Sequence, residues 1–335
     1  MSEPFVWYRS DRTTPPADLV RPTVSRAMRN GFRRWLPEPD VRDRTMVLYG
    51  RRGFRKRRSW AGMFSEFHAV LGALVHAERH GAAAVRVDFR SELYVDPERG
   101  PNWWTYFFSD AELRLPGRVS RGDVHLTRRI AKYGRYGGFC DTINGATPYL
   151  YPMTFGVSLP ELHRLLAAYV HVRPEIQEEV ARIVAATFAP GAYVVGVHYR
   201  GTDSTGTLAD GLVDLRTTPI PYTTYAAEVR AALEAASPRE YQVMVATDEI
   251  EFVDFMRREF GDRVLCLDDV PRVRAGGLAI HFDSSLPVSN YQKGKSGLVD
   301  CLLLAATSYL VKGRSNLSDA SLAFNPRLPY SFCVL

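Results

Sequence analysis

The sequence predicts an α/β protein built as two doubly wound, Rossmann-like domains, 1–170 and 171–335, with a cleft between them. Three observations predict it. Strand-length apolar runs alternate with helix-length periodic segments over 45–89, and again over 192–324. Between these two alternations, residues 91–158 break into short pieces at Pro97, Gly100, Pro101, Pro116, Gly117 and a Gly134-to-Gly138 cluster. A length of 335 residues is generous for one core and comfortable for two.

Residues 1–40 are rich in Arg and Pro and read as an irregular lead-in. Thr45 to Tyr49 suits a buried strand, and Ser59 to His80 repeats apolar residues at helical spacing through Phe64, Phe67, Val70, Leu71, Leu74 and Val75. Gly81 can stop that helix, and Ala84 to Phe89 reads as the next strand, completing a βαβ unit with a parallel pair. Leu159–Val170 and Pro174–Phe188 read as two helices at the domain connection, with Pro174 suited to a first helical turn. The second alternation predicts strands at 192–199, 241–246, 263–267 and 309–312. Its helices are expected at 223–236, 250–260, 298–307 and 318–324, the last ended by Asn325-Pro326.

Composition narrows the class. Hydrophobic residues make up 46% and charged residues 24%, which argues against wholesale disorder. No apolar run reaches the ~18 residues a membrane helix needs, and the first residues lack a secretory pattern, so the expectation is a cytoplasmic protein without stable membrane insertion. Cys140, Cys266, Cys301 and Cys333 lack C-x-x-C spacing and read as reduced, mostly buried thiols. Residues 1–60 hold fifteen Lys/Arg against six Asp/Glu, densest at Arg51–Arg58. That stretch is either a solvated loop or one that meets phosphate or an acidic acceptor. Nucleic acid is disfavoured, because no zinc spacing, RNP-type aromatic pattern or helix-turn-helix accompanies the charge.

Open α/β sheets bind ligands beyond the carboxyl ends of their strands, so the residues following each strand come first. His198 and Arg200 leave the 192–199 strand at a spacing of two, which puts them on one face. A guanidinium there can fork onto a pyrophosphate, or it can pair with Asp203. Thr247 and Asp248 follow the next strand, as ribose acceptors or as helix caps. Asp300 is expected to open an apolar helix, where its carboxylate either favours the helix dipole or accepts from a guanine edge. Ser315 and Asn316 lie between a strand and a helix start, a place suited to phosphate oxygens, with Ser318 as a competing plain N-cap.

Taken together, these segments resemble the GT-B fucosyltransferases with an H-x-R motif, a group that includes core α-1,6-, rhizobial Nod-factor and protein O-fucosyltransferases. The resemblance covers roughly residues 190–330 in motif order and spacing. It extends more weakly to 45–108, through Gly62-Met63-Phe64 and Val87-Asp88. It implies an inverting transfer of fucose from GDP-fucose, with no cofactor and no required metal; no D-x-D triplet is present. It also implies that His198 and Asp300 face the guanine and Arg200 holds the β-phosphate of the departing GDP. Ser315 and Asn316 would complete the diphosphate site, and Gly62 and Met63 would approach the donor. One departure stands out. Where the core enzymes carry an acid shortly after the motif, this chain has Leu208, so the general base is open among Asp203, Asp210, Asp214 and Glu66.

For the acceptor, Tyr94, Asn102, Trp103, Trp104 and Tyr106 offer rings on which a sugar face can stack; core packing is the competing account. Three decoys fail. Gly294-Lys295-Ser296 lacks the first Walker glycine, the Gly134–Gly138 cluster lacks dinucleotide spacing, and His76/His80 lack the glutamate of a zinc helix. The alternatives are a transferase using another nucleotide sugar and a non-catalytic sugar- or nucleotide-binding homologue. Acceptor identity and oligomeric state are not encoded in any motif.

Overall fold

The computed structural model describes residues 40–49, 62–127, 158–201, 220–277, 280–281, 283–313 and 315–333. In chain order the first elements are β1 (Thr45–Tyr49), α1 (Met63–His80), β2 (Ala84–Asp88), α2 (Trp104–Phe107), β3 (Glu112–Arg114) and β4 (Asp123–Thr127). Then come α3 (Leu159–Tyr169), α4 (Pro174–Thr187), β5 (Tyr193–Tyr199), α5 (Tyr222–Ala236), β6 (Tyr241–Thr247), α6 (Ile250–Phe260) and β7 (Val264–Leu265). The chain closes with α7 (Asn290–Ala305), β8 (Tyr309–Lys312), α8 (Asn316–Phe324) and β9 (Tyr330–Phe332).

Two compact units result, each α/β. The first takes the described residues of Met1–Ala61, Ser65–Ser91 and Asp110–Val170; the second those of Gly62–Phe64, Glu92–Ser109 and His171–Leu335. In the first, the sheet order is β3-β2-β1-β4. β1 runs parallel to β2 and β4, and β3 is antiparallel. Met46 and Leu48 of β1, Val85 and Val87 of β2, and Phe67, Val70, Leu71 and Leu74 of α1 are buried, as their periodicities require. Gly81 ends α1 at φ +72°, where a side chain would be strained. Arg164 of α3 reaches back to Glu78 of α1, tying the two helices.

In the second unit, five parallel strands lie in the order β7-β6-β5-β8-β9. The first strand in sequence is therefore central, and the winding reverses between β5 and β8, where such sheets place ligands. One face, through Val195, Val197 and Tyr199 of β5 and Val243 and Val245 of β6, packs on Tyr225 and Val229 of α5 and on Phe252 and Met256 of α6. The opposite face meets α7: a Cβ on Gly196 would lie 3.0 Å from Leu304 and 2.9 Å from Thr307. Helices cover both faces, which is the doubly wound arrangement expected.

Four differences from the sequence reading have physical causes. α7 starts at Asn290, not Leu298, because Ser289 and Gln292 form a reciprocal capping box. The Gly294-Lys295-Ser296 decoy is consequently helical. α8 starts at Asn316 with Ser315 as N-cap, so Ser318 lies inside the helix, donating to the Ser315 carbonyl at 3.2 Å. The short strands β3, β4 and β9 escape a periodicity search because three to five residues hold too few alternations. Finally, residues 92–109 belong with the second unit. Phe107 stacks on Tyr291 of α7 with centroids 5.5 Å apart, and Asn290 donates to the carbonyls of Glu92 and Val95.

Candidate functional site

β5 is buried along almost its whole length and ends at Tyr199. Alternation from Gly196 turns His198 to the α7 face, and register sets it beside Lys312 of β8. His198 is buried, and its Nδ1 has no partner among the described residues. Burial first, then the positive charges of Arg200 and Lys312, hold its pKa down to about 3, so the ring is neutral at physiological pH. Arg200 occupies the first position beyond the strand, half-buried.

The end of β6 is knitted to the end of β5. Asp248 accepts from the Gly201 amide at 2.9 Å, and the Thr247 hydroxyl accepts from the Glu249 amide at 3.2 Å. Thr247 thus closes a local turn ahead of α6, whose N-cap is Glu249 without a side-chain cap, so neither residue caps the helix, and Asp248 serves as a strand-to-strand tie. Glu249, which sequence reasoning missed, is buried just ahead of α6 and takes a hydrogen bond from Tyr222 of α5. Burial, then Glu251, raises its pKa above the ordinary carboxylate value. A Cβ on Gly201 would collide with this carboxylate, so the glycine after Arg200 is a packing requirement. The signal in sequence was the T-D-E run itself, where only the first two residues drew attention.

At the end of β8, Lys312 has no exposed surface. It pairs with Asp319 of α8, and its ammonium lies 5.1 Å from the Phe332 ring centroid. The ion pair pins the first turn of α8 to the sheet. Ser315, buried, accepts from the Leu317 amide at 3.2 Å, and Asn316 begins the helix. Hence Ser315 is engaged as the N-cap of α8.

Asp300 lies in the third turn of α7, not at its opening, so the dipole account of this carboxylate falls. Leu304, one turn on, covers Gly196, and Ser308 donates to the Val194 carbonyl near the start of β5. The helix therefore runs antiparallel to the strand, and one turn back (about 6 Å) sets Asp300 over the strand's carboxyl end, the level of His198. Asp300 is 7% exposed. Burial pushes its pKa up to about 7, opposed by the charge of Arg272.

The remaining sequence-predicted residues divide. Met63 donates its amide to the Tyr94 hydroxyl at 3.0 Å, and Gly62 packs near the same hydroxyl, so all three belong to the second unit. Trp103 and Trp104 have no exposed surface and Tyr94 is buried, which corrects the expectation of a saccharide platform. Their rings fill the core against Phe107 and Phe108 because apolar area is stabilised most when fully removed from water. Glu66 is fully buried on α1, out of reach as a solvent-facing base. Asp203, Leu208, Asp210, Asp214, the basic stretch 51–58 and the Gly134–Gly138 cluster lie outside the described residues. Among the described residues, no group of three or more His, Cys, Asp or Glu is placed to hold a metal, and no helix is long and apolar enough to cross a membrane.

No protein-family model matches the chain, and no curated protein matches it either. Solved structures do. It is similar to the α-1,6-fucosyltransferase NodZ co-crystallized with GDP, at 17% identity over 85% of this chain and 93% of that one, with a TM-score of 0.49. NodZ from Bradyrhizobium aligns at 17% identity over 85% and 94%, TM-score 0.48. POFUT1 in its apo form aligns at 11% identity over 90% and 100%, TM-score 0.44.

Proposed function

We propose that the chain is an inverting glycosyltransferase that moves fucose from GDP-fucose to a hydroxyl of a saccharide, glycoconjugate or small-molecule acceptor. The observation that carries the reading is the set gathered at the carboxyl edge of the second sheet, where the winding reverses. There a cationic Arg200 follows a neutral, partly unsatisfied His198, beside a buried Asp300 and the capped start of α8. A cation for a diphosphate and a carboxylate for a base edge match the two ends of a nucleoside diphosphate.

In this reading the acceptor oxygen attacks the anomeric carbon opposite the leaving group, and the bond to the β-phosphate oxygen breaks. The electron pair leaves with GDP. Arg200 neutralises the charge developing on that oxygen, which acts only in the transition state and so raises kcat. The neutral state of His198 keeps a second positive charge away from Arg200 while leaving a ring nitrogen to orient the nucleotide. No metal is required, because a fixed guanidinium performs the neutralisation. The acceptor's proton passes to a base as its oxygen attacks.

Two measurements test this. Calorimetric titration should give tighter binding of GDP than of UDP or dTDP; equal affinities would rule out guanine recognition. GDP release from GDP-fucose should fall about 100-fold or more in Arg200→Ala. Wild-type protein that binds donor yet releases no GDP with any acceptor pool would favour a non-catalytic binding role.

A further inference from the structure

Arg200 is flanked by two residues that are held from the same side of the sheet. Tyr199 is buried and stacks on Phe252 of α6, with centroids 4.4 Å apart and planes at 15°. A Cβ on Gly201 would lie 3.0 Å from the Tyr199 ring and 2.7 Å from the Glu249 carboxyl carbon. Residues 199 and 201 therefore face the α5–α6 side together, so the alternation of β5 runs on through the turn. Arg200, between them, leaves by the opposite face, that of His198.

Tyr222, the first residue of α5, reaches the supports of both neighbours. Its ring meets Tyr199 edge to face with centroids 5.1 Å apart, and Phe252 at 5.2 Å. Its hydroxyl donates to Glu249 Oε1, while Oε2 of the same carboxylate lies against Gly201. The strand itself is held by β6 and β8, so these contacts act on its end. A buried carboxylate carries a desolvation cost that an apolar side chain of similar size would not. What it adds is a directed, charge-assisted bond, which fixes where Oε2 stands against the turn.

We propose that Tyr222 is a positioning residue for Arg200: its ring on Tyr199 and its hydroxyl on Glu249 fix the backbone on both sides of the guanidinium that meets the departing diphosphate. The inference rests on the donor reading above and deepens it. A group that neutralises charge only in the transition state has to be preset, because a displacement of about 1 Å can cost about 100-fold in rate.

Steady-state release of GDP from GDP-fucose by the full chain tests it, with Tyr222→Phe alone and combined with Arg200→Ala. Tyr222→Phe keeps the ring and removes only the hydroxyl. It should lower kcat about tenfold with little change in KM. In the Arg200→Ala background the same substitution should change nothing further, because both act on one interaction. Thermal melts accompany each variant. If Tyr222→Phe does not fold, Glu249→Gln takes its place. That variant keeps the shape and a neutral acceptor, and should give a smaller fall in kcat that also vanishes with Arg200→Ala. A wild-type kcat in the folded variant, or an equal fall in both backgrounds, overturns the inference and leaves the donor reading standing. Arg200→Ala that releases GDP at the wild-type rate, or wild-type protein that releases none, overturns both.

Discussion

Asp300 holds a proton in the folded chain across the range where the unfolded chain has already lost it. Its ordinary pKa is 3.8, and burial raises it to about 7. The folded state therefore binds more protons between these values, and this residue's contribution to stability falls as pH rises from about 4 to 7. Asp300→Asn should melt at a higher temperature than wild type at pH 8, with the gap closing toward pH 4; an equal gap at both values would contradict the burial argument. His198 works in the opposite direction. Its pKa drops from 6.5 to about 3, so the unfolded chain binds the extra proton and stability falls as pH drops below 6.5. The proposed guanine contact adds a third dependence, because only an ionised Asp300 would accept from two guanine donors. GDP affinity should weaken as pH falls through about 7, and Asp300→Asn should flatten that profile while lowering the affinity.

The ends of β5, β6 and β8 are joined by groups that leave little space. Asp248 holds the Gly201 amide, Glu249 fills the place where a Gly201 side chain would stand, and Lys312 locks α8 to β8 through Asp319. Gly201→Ala must displace a buried carboxylate that also accepts from Tyr222. The expected cost is about 1–3 kcal/mol of stability, with a larger fall in turnover because Arg200 is the preceding residue. Adding Glu249→Asp, which withdraws the carboxylate by one methylene, should recover part of both. Denaturant melts and initial rates on the three variants check this, and an unperturbed Gly201→Ala would show that the turn has room to spare. The elements themselves were legible, since β1, α6 and β8 fall where the apolar periodicity places them, whereas the start of α7 was not. Its first two turns carry Lys, Gly and Ser with little apolar pattern, and only the Ser289–Gln292 box marks where they begin.

At the scale of the whole chain, residues 92–109 lie in the N-terminal half of the sequence but in the second unit of the structure. Trp104 should therefore affect the unit that carries the proposed nucleotide site. Trp104→Ala removes a fully buried ring, at a cost of about 3–5 kcal/mol, and should lower the calorimetric transition that GDP raises. A variant that shifted only a transition insensitive to GDP would place the aromatic cluster elsewhere. The sequence by itself determined the α/β class, the positions of the central strands along the chain and the residue types that follow each of them, because alternation and periodicity are local properties that burial imposes on neighbouring residues. It could not determine that Trp103 and Trp104 are core, or that Glu249 backs the Gly201 turn. Those facts depend on pairings between residues distant along the chain, and only the folded backbone brings such residues together.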